Sequence, residues 1–428
     1  MYLQTDEQTI DDLGIFGKRD GHGIYDIYNN AHTRGGEALL EVLFKSPLSD
    51  KTAINQRSNT IAQFMKANLV FPFDASIFDV TEKYLFQNIN EQHQTQLSEK
   101  EVQNGVSAII DLLHLTQIFV ERNDVQQLSE YINERTIIEK ILSNPAFEPA
   151  LKQGAGKNKI SYAAVTAFDS LFRAAQRIHL ENLLKQLYQL DVYIAVARTA
   201  TDRGFVFPRA LSKGKPVLAL EGVYHPTLTN AVRNNVRMDE QQNVIFLTGA
   251  NMAGKSTMLR SLSTALYIAH MGFPVAANSM EFSVLDGLYT TVNLPDNLGI
   301  GASHFYAEVL RVKKMASELS SGKSLFILFD ELFRGTNVKD AHEATVAVTR
   351  GFAGKSNSLF IISSHIVEAG EELKQQPNIG FLYLPTKMKG HAPEYTYTLE
   401  KGITDDRHGM IIIRNEGILE TLKNGKKA

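Results

Sequence analysis

Residues 244–262 read VIFLTGANMAGKSTMLRSL, and this stretch decides how the rest of the chain is read. It places Gly249, Gly254, Lys255 and Ser256 in the order G-x-x-x-x-G-K-[ST], directly after an apolar run with the character of a strand. That spacing is the pattern of a loop that cradles nucleotide phosphates. Glycines let the backbone fold closely round an anion with its N–H groups turned inward. The start of the next helix adds free N–H groups and the positive end of its dipole. The expected phosphate contacts are Gly249, Ala250, Asn251, Met252, Ala253, Gly254, Lys255, Ser256 and Thr257. Lys255 would reach the outer phosphates and the Ser256 hydroxyl would hold Mg²⁺.

A second stretch, SLFILFDE (324–331), supplies what such a loop needs. An apolar strand delivers Asp330 toward the same Mg²⁺, which takes oxygen ligands and keeps several waters. Glu331 follows, where a carboxylate would orient or activate the attacking water. A further apolar strand, 359–363, leads into Ser364 and His365, placing an imidazole where it would contact the γ-phosphate or that water. The small-residue stretch GIGASHFYAE (299–308) opens another helix, whose free N–H groups and Ser303 hydroxyl make an anion site. In ATPases of the ABC type such a loop reaches across a dimer to the partner's nucleotide. The catalytic expectation is therefore Lys255, Glu331 and His365, with Ser256 and Asp330 on the metal and Ser303 completing the partner's site.

Composition sets the outer bounds. The chain has 428 residues, long enough for two or three domains, with 43% hydrophobic and 21% charged residues, as in ordinary soluble globular proteins. No cysteine is present, which excludes disulfides, thiol catalysis and cysteine-bound zinc. The N-terminus is acidic and lacks the basic-then-apolar pattern of a signal peptide, so a cytoplasmic location is expected. The formal net charge of −3 argues mildly against a protein that coats DNA by charge alone. Any DNA contact must come from a local basic surface or an enclosing shape.

The first two hundred residues read as helical. In 31–65 the Gly35–Gly36 pair and then Ser46–Pro47 are expected to break the chain into two helices. Asp50 would cap the second, with Ile54, Ile61, Phe64 and Met65 on one face. Val102, Val106, Ile109 and Leu113 repeat the helical spacing and read as core. From 157 to 203 there is neither glycine nor proline, and apolar residues from Ile160 through Leu171, Ala175 and Ile178 to Ala197 suggest one helix. At about 40 residues it would be roughly 60 Å long, a strut or lever. The basic stretch 152–159 before it reads as a solvated loop. After Gly204 the pattern changes to short apolar runs alternating with helices: 244–248, 282–289, 325–329 and 359–363. This predicts an α/β domain round a largely parallel sheet, with its boundary near 205–215.

The motifs together resemble the MutS family of DNA mismatch-repair ATPases. TGANMAGKSTMLR is similar to the family's TGPNMGGKST, with Ala250 and Ala253 replacing a proline and a glycine. GASHFYAEV resembles its S-T-F-M-x-E signature through Ser303, Phe305 and Glu308, with His304 in place of threonine. FDELFRGT resembles LDELGRGT, with Phe333 in place of a glycine. The stretch 271–292 and Asp296-Asn-Leu298 resemble the segment between these motifs, and Tyr224-His225-Pro226 resembles an H-P element before the ATP site. TRGGEALLEVLFKSPLSDKTAINQR and LDVYIAVARTATDRGFVFP resemble the two ends of the family's helical core, or lever, domain. YTLEKGITDDRHGMIIIRNEGI resembles its closing segment, which is associated with dimer contacts.

The resemblance implies a multidomain protein. Residues 1–204 would form an all-α lever domain with a reduced or absent clamp, 205–400 a P-loop ATPase domain of the ABC type, and 401–428 a dimer-contact segment. The connector domain and the mismatch-reading domain, with its Phe-x-Glu wedge of the kind that inserts beside a mispaired base, have no counterpart in the sequence, and 125–160 is short for a full clamp. Val232 stands where the family places an adenine-stacking aromatic. The implied protein is a homodimeric ATPase lacking the mismatch reader, using ATP and Mg²⁺ to move its levers on duplex or branched DNA in DNA repair or recombination. The alternative is an ATP-driven assembly factor or switch that does not bind DNA.

Overall fold

The computed structural model describes residues 1–17, 21–87, 97–153, 160–250, 252–292, 304–389, 392–404 and 417–424. They form two compact units: a helical unit of residues 25–45 and 56–204, and a mixed unit of residues 1–24, 46–55 and 205–428. The mixed unit thus takes in two N-terminal pieces that the sequence reading assigned to the helical domain. A short helix α1 (Glu7–Leu13) lies in the first of them.

The following helices are α2 (Ile24–Tyr28), α3 (Arg34–Lys45), α4 (Lys51–Ala67), α5 (Ala75–Phe86), α6 (Glu99–Glu121), α7 (Asn123–Gln126), α8 (Ile132–Leu142), α9 (Glu148–Gln153), α10 (Tyr162–Ser170) and α11 (Arg177–Arg203). Their starts follow local rules. Asp50 Oδ1 accepts the Ala53 N–H at 2.8 Å, and Ser98 with Glu101 forms a full capping box on α6. α11 ends at Gly204 in the left-handed conformation. Ile54, Ile61, Phe64, Val106, Ile109 and Leu113 are all buried as their spacing requires.

Two helical expectations are corrected. The Gly35–Gly36 pair does not break a helix; it lies in the first turn of α3. A Cβ on Gly36 would stand 2.4 Å from Asp191 Oδ2, and one on Gly35 would stand 2.3 Å from the Tyr188 ring. The glycines are there because α3 and α11 approach too closely for a side chain. Asp191, fully buried on α11, accepts the N–H groups of His32 and Thr33 and so caps α3 from outside its own sequence. The single 40-residue helix is also interrupted, by one turn of π-helix at Leu171–Ala175. There the Gln176 N–H reaches back five residues to Leu171 O at 2.8 Å. The wider turn shifts the helical phase: Phe172 and Leu180 are buried, whereas Ile178 is exposed. Asp169, hydrogen-bonded to Tyr84 at 2.6 Å and to Arg173 at 2.7 Å, holds the residues on either side.

In the mixed unit the strands are β1 (Arg209–Leu211), β2 (Leu218–Val223), β3 (Asn234–Met238), β4 (Val244–Gly249), β5 (Ser279–Ser283), β6 (Gly287–Thr291), β7 (Leu325–Phe329), β8 (Leu359–Ser363), β9 (Ile379–Leu384), β10 (Thr386–Lys389), β11 (Ala392–Tyr395) and β12 (Glu400–Lys401). Helices α12 (Lys255–His270), α13 (His304–Ser320), α14 (Val338–Ala353) and α15 (Val367–Leu373) alternate with them. A six-stranded sheet has the order β12-β9-β4-β8-β7-β6, parallel except at β12, and a four-stranded sheet has the order β1-β5-β2-β3. β4, β7 and β8 are buried along their whole length, which is why they read as continuous apolar runs. The expected strand at 282–289 is two strands in different sheets. Between them Asp286 turns the chain, its carboxylate accepting the Ser324 N–H at 2.9 Å.

The N-terminal segment is bound tightly into the mixed unit. Gln4 pairs with β6, Thr9 Oγ accepts the Thr290 N–H at 3.0 Å, and Asp12 accepts the Val292 N–H at 2.8 Å. Asp6 caps α1 and also receives Arg311, whose side chain is 9% exposed, and Lys314 at 2.7 Å. Burial pushes the Asp6 carboxyl up, but the hydrogen bonds from Arg311 and Lys314 outweigh this and hold it far below the usual carboxylate range. Asp6→Ala removes the cap and leaves a guanidinium buried without its anion, an expected loss of about 2–4 kcal/mol in urea unfolding at neutral pH. Asp6→Asn keeps the cap and loses less. Because the folded-state value is depressed, the advantage of wild type over Asp6→Asn is full above about pH 4 and fades as the pH falls further. An Asp6→Ala protein as stable as wild type contradicts this account.

Candidate functional site

The six-stranded sheet delivers three chain segments to one edge. β4, β8 and β7 are consecutive and parallel, so the residues after each emerge at the same carboxyl end, the usual place for a ligand in such sheets. After β4 comes the loop 249–254, after β8 come Ser364 and His365, and after β7 come Asp330 and Glu331.

In the loop, Gly249 (φ 151°), Met252 (φ 67°) and Gly254 (φ 95°) all have positive φ, the kind of backbone from which anion-binding concavities are built. Lys255 opens α12, is 5% exposed, and donates from Nζ to Gly249 O at 2.8 Å and Ala250 O at 3.0 Å. Burial lowers its pKa, opposed by the charges of Asp330 and Glu331. The ammonium is therefore held over the loop by carbonyls that anionic oxygens would replace.

Ser256 Oγ donates to Asp330 Oδ2 at 2.5 Å. The other oxygen, Asp330 Oδ1, is buried and has no hydrogen-bond partner among the described residues. A buried carboxylate oxygen without a donor is costly. Beside a serine hydroxyl, this donor set fits a hard divalent cation such as Mg²⁺.

Glu331 has φ 58°, and two residues later Phe333 has φ 62°. Left-handed backbone at a residue with a side chain costs about 1–2 kcal/mol each, a strain that native folds keep at working sites. Glu331 Oε1 lies 2.6 Å from His365 Nε2, and Oε2 lies 3.4 Å from Arg334 Nη1. The hydrogen bond from His365 outweighs burial and draws the Glu331 carboxyl down to about 2. The carboxylate is thus ionised at neutral pH, with Nε2 of His365 as the donor.

Beside the loop lies a cavity of about 340 Å³ lined by Tyr224, His225, Leu228, Val232, Thr257 and Tyr397, among others. Val232 lines this cavity, and the ring against the loop belongs to Tyr397, to which the sequence reading gave no role at the site. A Cβ on Gly254 would stand 2.9 Å from Tyr397 Cδ1. Asn234 holds that segment, donating to Tyr397 O at 2.9 Å and accepting from the Leu399 N–H at 2.7 Å. His225 is drawn down to about 4 by burial and by the Arg260 charge, so the wall stays neutral at pH 7. In the sequence Tyr397 is only the first residue of the closing segment YTLEKGITDDRHGMIIIRNEGI, far along the chain from the loop, and nothing local places it there.

The structure therefore brings Lys255, Ser256, Asp330, Glu331 and His365 together and places Gly249, Ala250, Met252, Ala253, Gly254 and Thr257 on the loop and its helix. Asn251 and Ser303 lie outside the described residues, as do 296–298 and most of 401–428. α13 begins at His304, directly after Ser303.

This is the arrangement of a P-loop nucleotide-binding domain. Residues 245–424 match the family model of MutS domain V. The chain is 27% identical over 306 residues to the DNA mismatch repair protein MutS of Fusobacterium nucleatum, covering 69% of this chain and 34% of that protein. It is 31% identical over 258 residues to that of Lactobacillus delbrueckii subsp. bulgaricus, covering 58% and 30%. For Brevibacillus brevis the figures are 34% over 196 residues, 44% and 22%. Residues 245–424 thus form a domain homologous to domain V of MutS proteins. The chain spans about a third or less of the length of these curated relatives.

Gly254→Ala forces a side chain into a left-handed position against Tyr397. The expected cost is about 1–3 kcal/mol. It is read by urea unfolding, together with a changed near-ultraviolet circular dichroism of the tyrosines. An unchanged spectrum and stability contradict the packing of Tyr397 on the loop.

Proposed function

We propose that this chain is an ATPase that binds ATP at 249–257 and hydrolyses it to ADP and phosphate. The observation carrying this reading is the convergence of Lys255, the Ser256–Asp330 pair and the Glu331–His365 pair at one sheet edge. Loop N–H groups and Lys255 hold the phosphates, while the base enters the cavity against Tyr397. Ser256 and Asp330 would hold Mg²⁺, which neutralises phosphate charge when bound. Glu331, ionised and fixed by His365, orients the attacking water, and His365 senses the γ-phosphate. Catalysis rests on positioning and charge stabilisation.

The active form in this reading is a homodimer with Ser303 of each subunit completing its partner's site. Exposed apolar side chains near the loop and on the helices after the strands support it: Met252, Leu310 and Val338 are 76%, 45% and 76% exposed. Residues 401–428 would add dimer contacts, and nucleotide turnover would move the helical lever on duplex or branched DNA. The alternative, an assembly factor or switch that does not bind DNA, is favoured by the excess of Asp and Glu over Lys and Arg in the chain.

Lys255→Ala is expected to weaken binding of a fluorescent ATP analogue by about tenfold or more. Glu331→Ala is expected to bind within about threefold of wild type and to lose about 100-fold or more in turnover. Assayed over a protein dilution series, wild-type turnover per subunit should fall as the dimer dissociates. Equal hydrolysis by Glu331→Ala and wild type removes Glu331 from the mechanism, and turnover independent of dilution removes the dimer. Binding to duplex, mismatched and branched DNA over a salt series separates the two functional readings. A steep salt slope with structure preference supports the DNA reading, and no binding at low salt supports the alternative.

A further inference from the structure

The turn that carries Glu331 is unusual in what holds it. Phe333 has φ 62°, a conformation that a bulky side chain keeps only when its surroundings impose it. The main-chain ties of this turn are unequal. Asp330 N donates to Thr291 O at 2.8 Å, but Leu332 N reaches Ser363 O only at 3.4 Å. What surrounds Phe333 is hydrophobic core: the residue is 3% exposed and belongs to the cluster built round β4, β7 and β8.

One of its contacts comes from the first turn of α13. The rings of Phe305 and Phe333 are 5.7 Å apart between centroids at an interplanar angle of 60°, a favourable tilted pair. Further along the helix, Arg311 ties α13 to Asp6 and, at 2.8 Å, to Thr290 O. α13 is therefore anchored through Arg311 and touches the catalytic turn through Phe305.

We propose that Phe333 and Phe305 form an aromatic latch through which α13 sets the position of Glu331 in the same subunit. The two are positioning residues: neither ring needs to touch nucleotide. A shift of α13 moves the Phe305 ring, and the strained turn follows because Phe333 is locked against it. This couples each subunit's own α13 to its own hydrolytic carboxylate, independently of any contact made across a dimer. The inference rests on the reading of Glu331 as the residue that orients water.

The test is steady-state hydrolysis over a range of ATP concentrations by the full chain, with binding of a fluorescent ATP analogue and thermal unfolding measured alongside. Phe305→Ala and Phe333→Gly are each expected to lower kcat by about tenfold, leaving KM and analogue affinity within about threefold. Because both variants break one contact, the double variant should lose no more than the worse single one. Phe333→Leu should retain most of kcat. If Phe333→Gly does not fold, Phe305→Ala and Phe333→Leu carry the test. Wild-type kcat in Phe305→Ala, or losses that multiply in the double variant, overturns the latch. Glu331→Ala in the same assay separates the two failures. If it is inactive while Phe305→Ala is fully active, the latch alone fails. If it hydrolyses at the wild-type rate, the Glu331 reading fails and the latch with it.

Discussion

Parallel pairing forces every strand to leave the sheet at the same end, and in this chain that geometry assembles chemistry from three distant segments. β4, β8 and β7 lie side by side, so the residues following Gly249, Ser363 and Phe329 meet although more than a hundred positions separate the first from the second. Each of these strands is buried on both faces, which commits nearly every residue to an apolar side chain and leaves function to the loops. The site inherits its precision from the register of that sheet.

Around this edge the fold concentrates polar tension. Among the described residues Asp330 keeps one buried oxygen without a donor, Lys255 donates to two loop carbonyls, and Glu331 and Phe333 sit in left-handed backbone. The unpaired buried oxygen and the left-handed residues are each unfavourable in isolation. The remainder of the unit is ordered to hold them. The N-terminal segment pairs with β6, and Asp6 neutralises the largely buried Arg311 on α13.

Much of this was legible in the chain. The loop, the Asp330–Glu331 strand end and His365 all lie in contiguous motifs whose spacing follows from local strand and helix geometry. The missed features share a different origin. The Gly35–Gly36 pair reads locally as a helix breaker, yet it serves the close approach of α11, whose Asp191 is more than 150 residues away. The π-turn at 171–175 carries no glycine or proline, so the 3.6-residue period ran through it unbroken and put Ile178 inside. At 282–289 one apolar run serves two sheets, because the turn at Asp286 is held by Ser324 from another strand. Tyr397 reaches the phosphate loop through a fold that Asn234 ties down.

By itself, then, the sequence determined the class of the site: the order of glycines, the lysine, the hydroxyl, the carboxylates and the histidine specify phosphate and metal chemistry, because these depend on residue type and short spacing. Tertiary structure alone decided which helix packs on the turn after β7, which ring walls the cavity and where the first residues of the chain belong. Those depend on contacts between segments far apart in the chain, and no local period or propensity encodes such contacts.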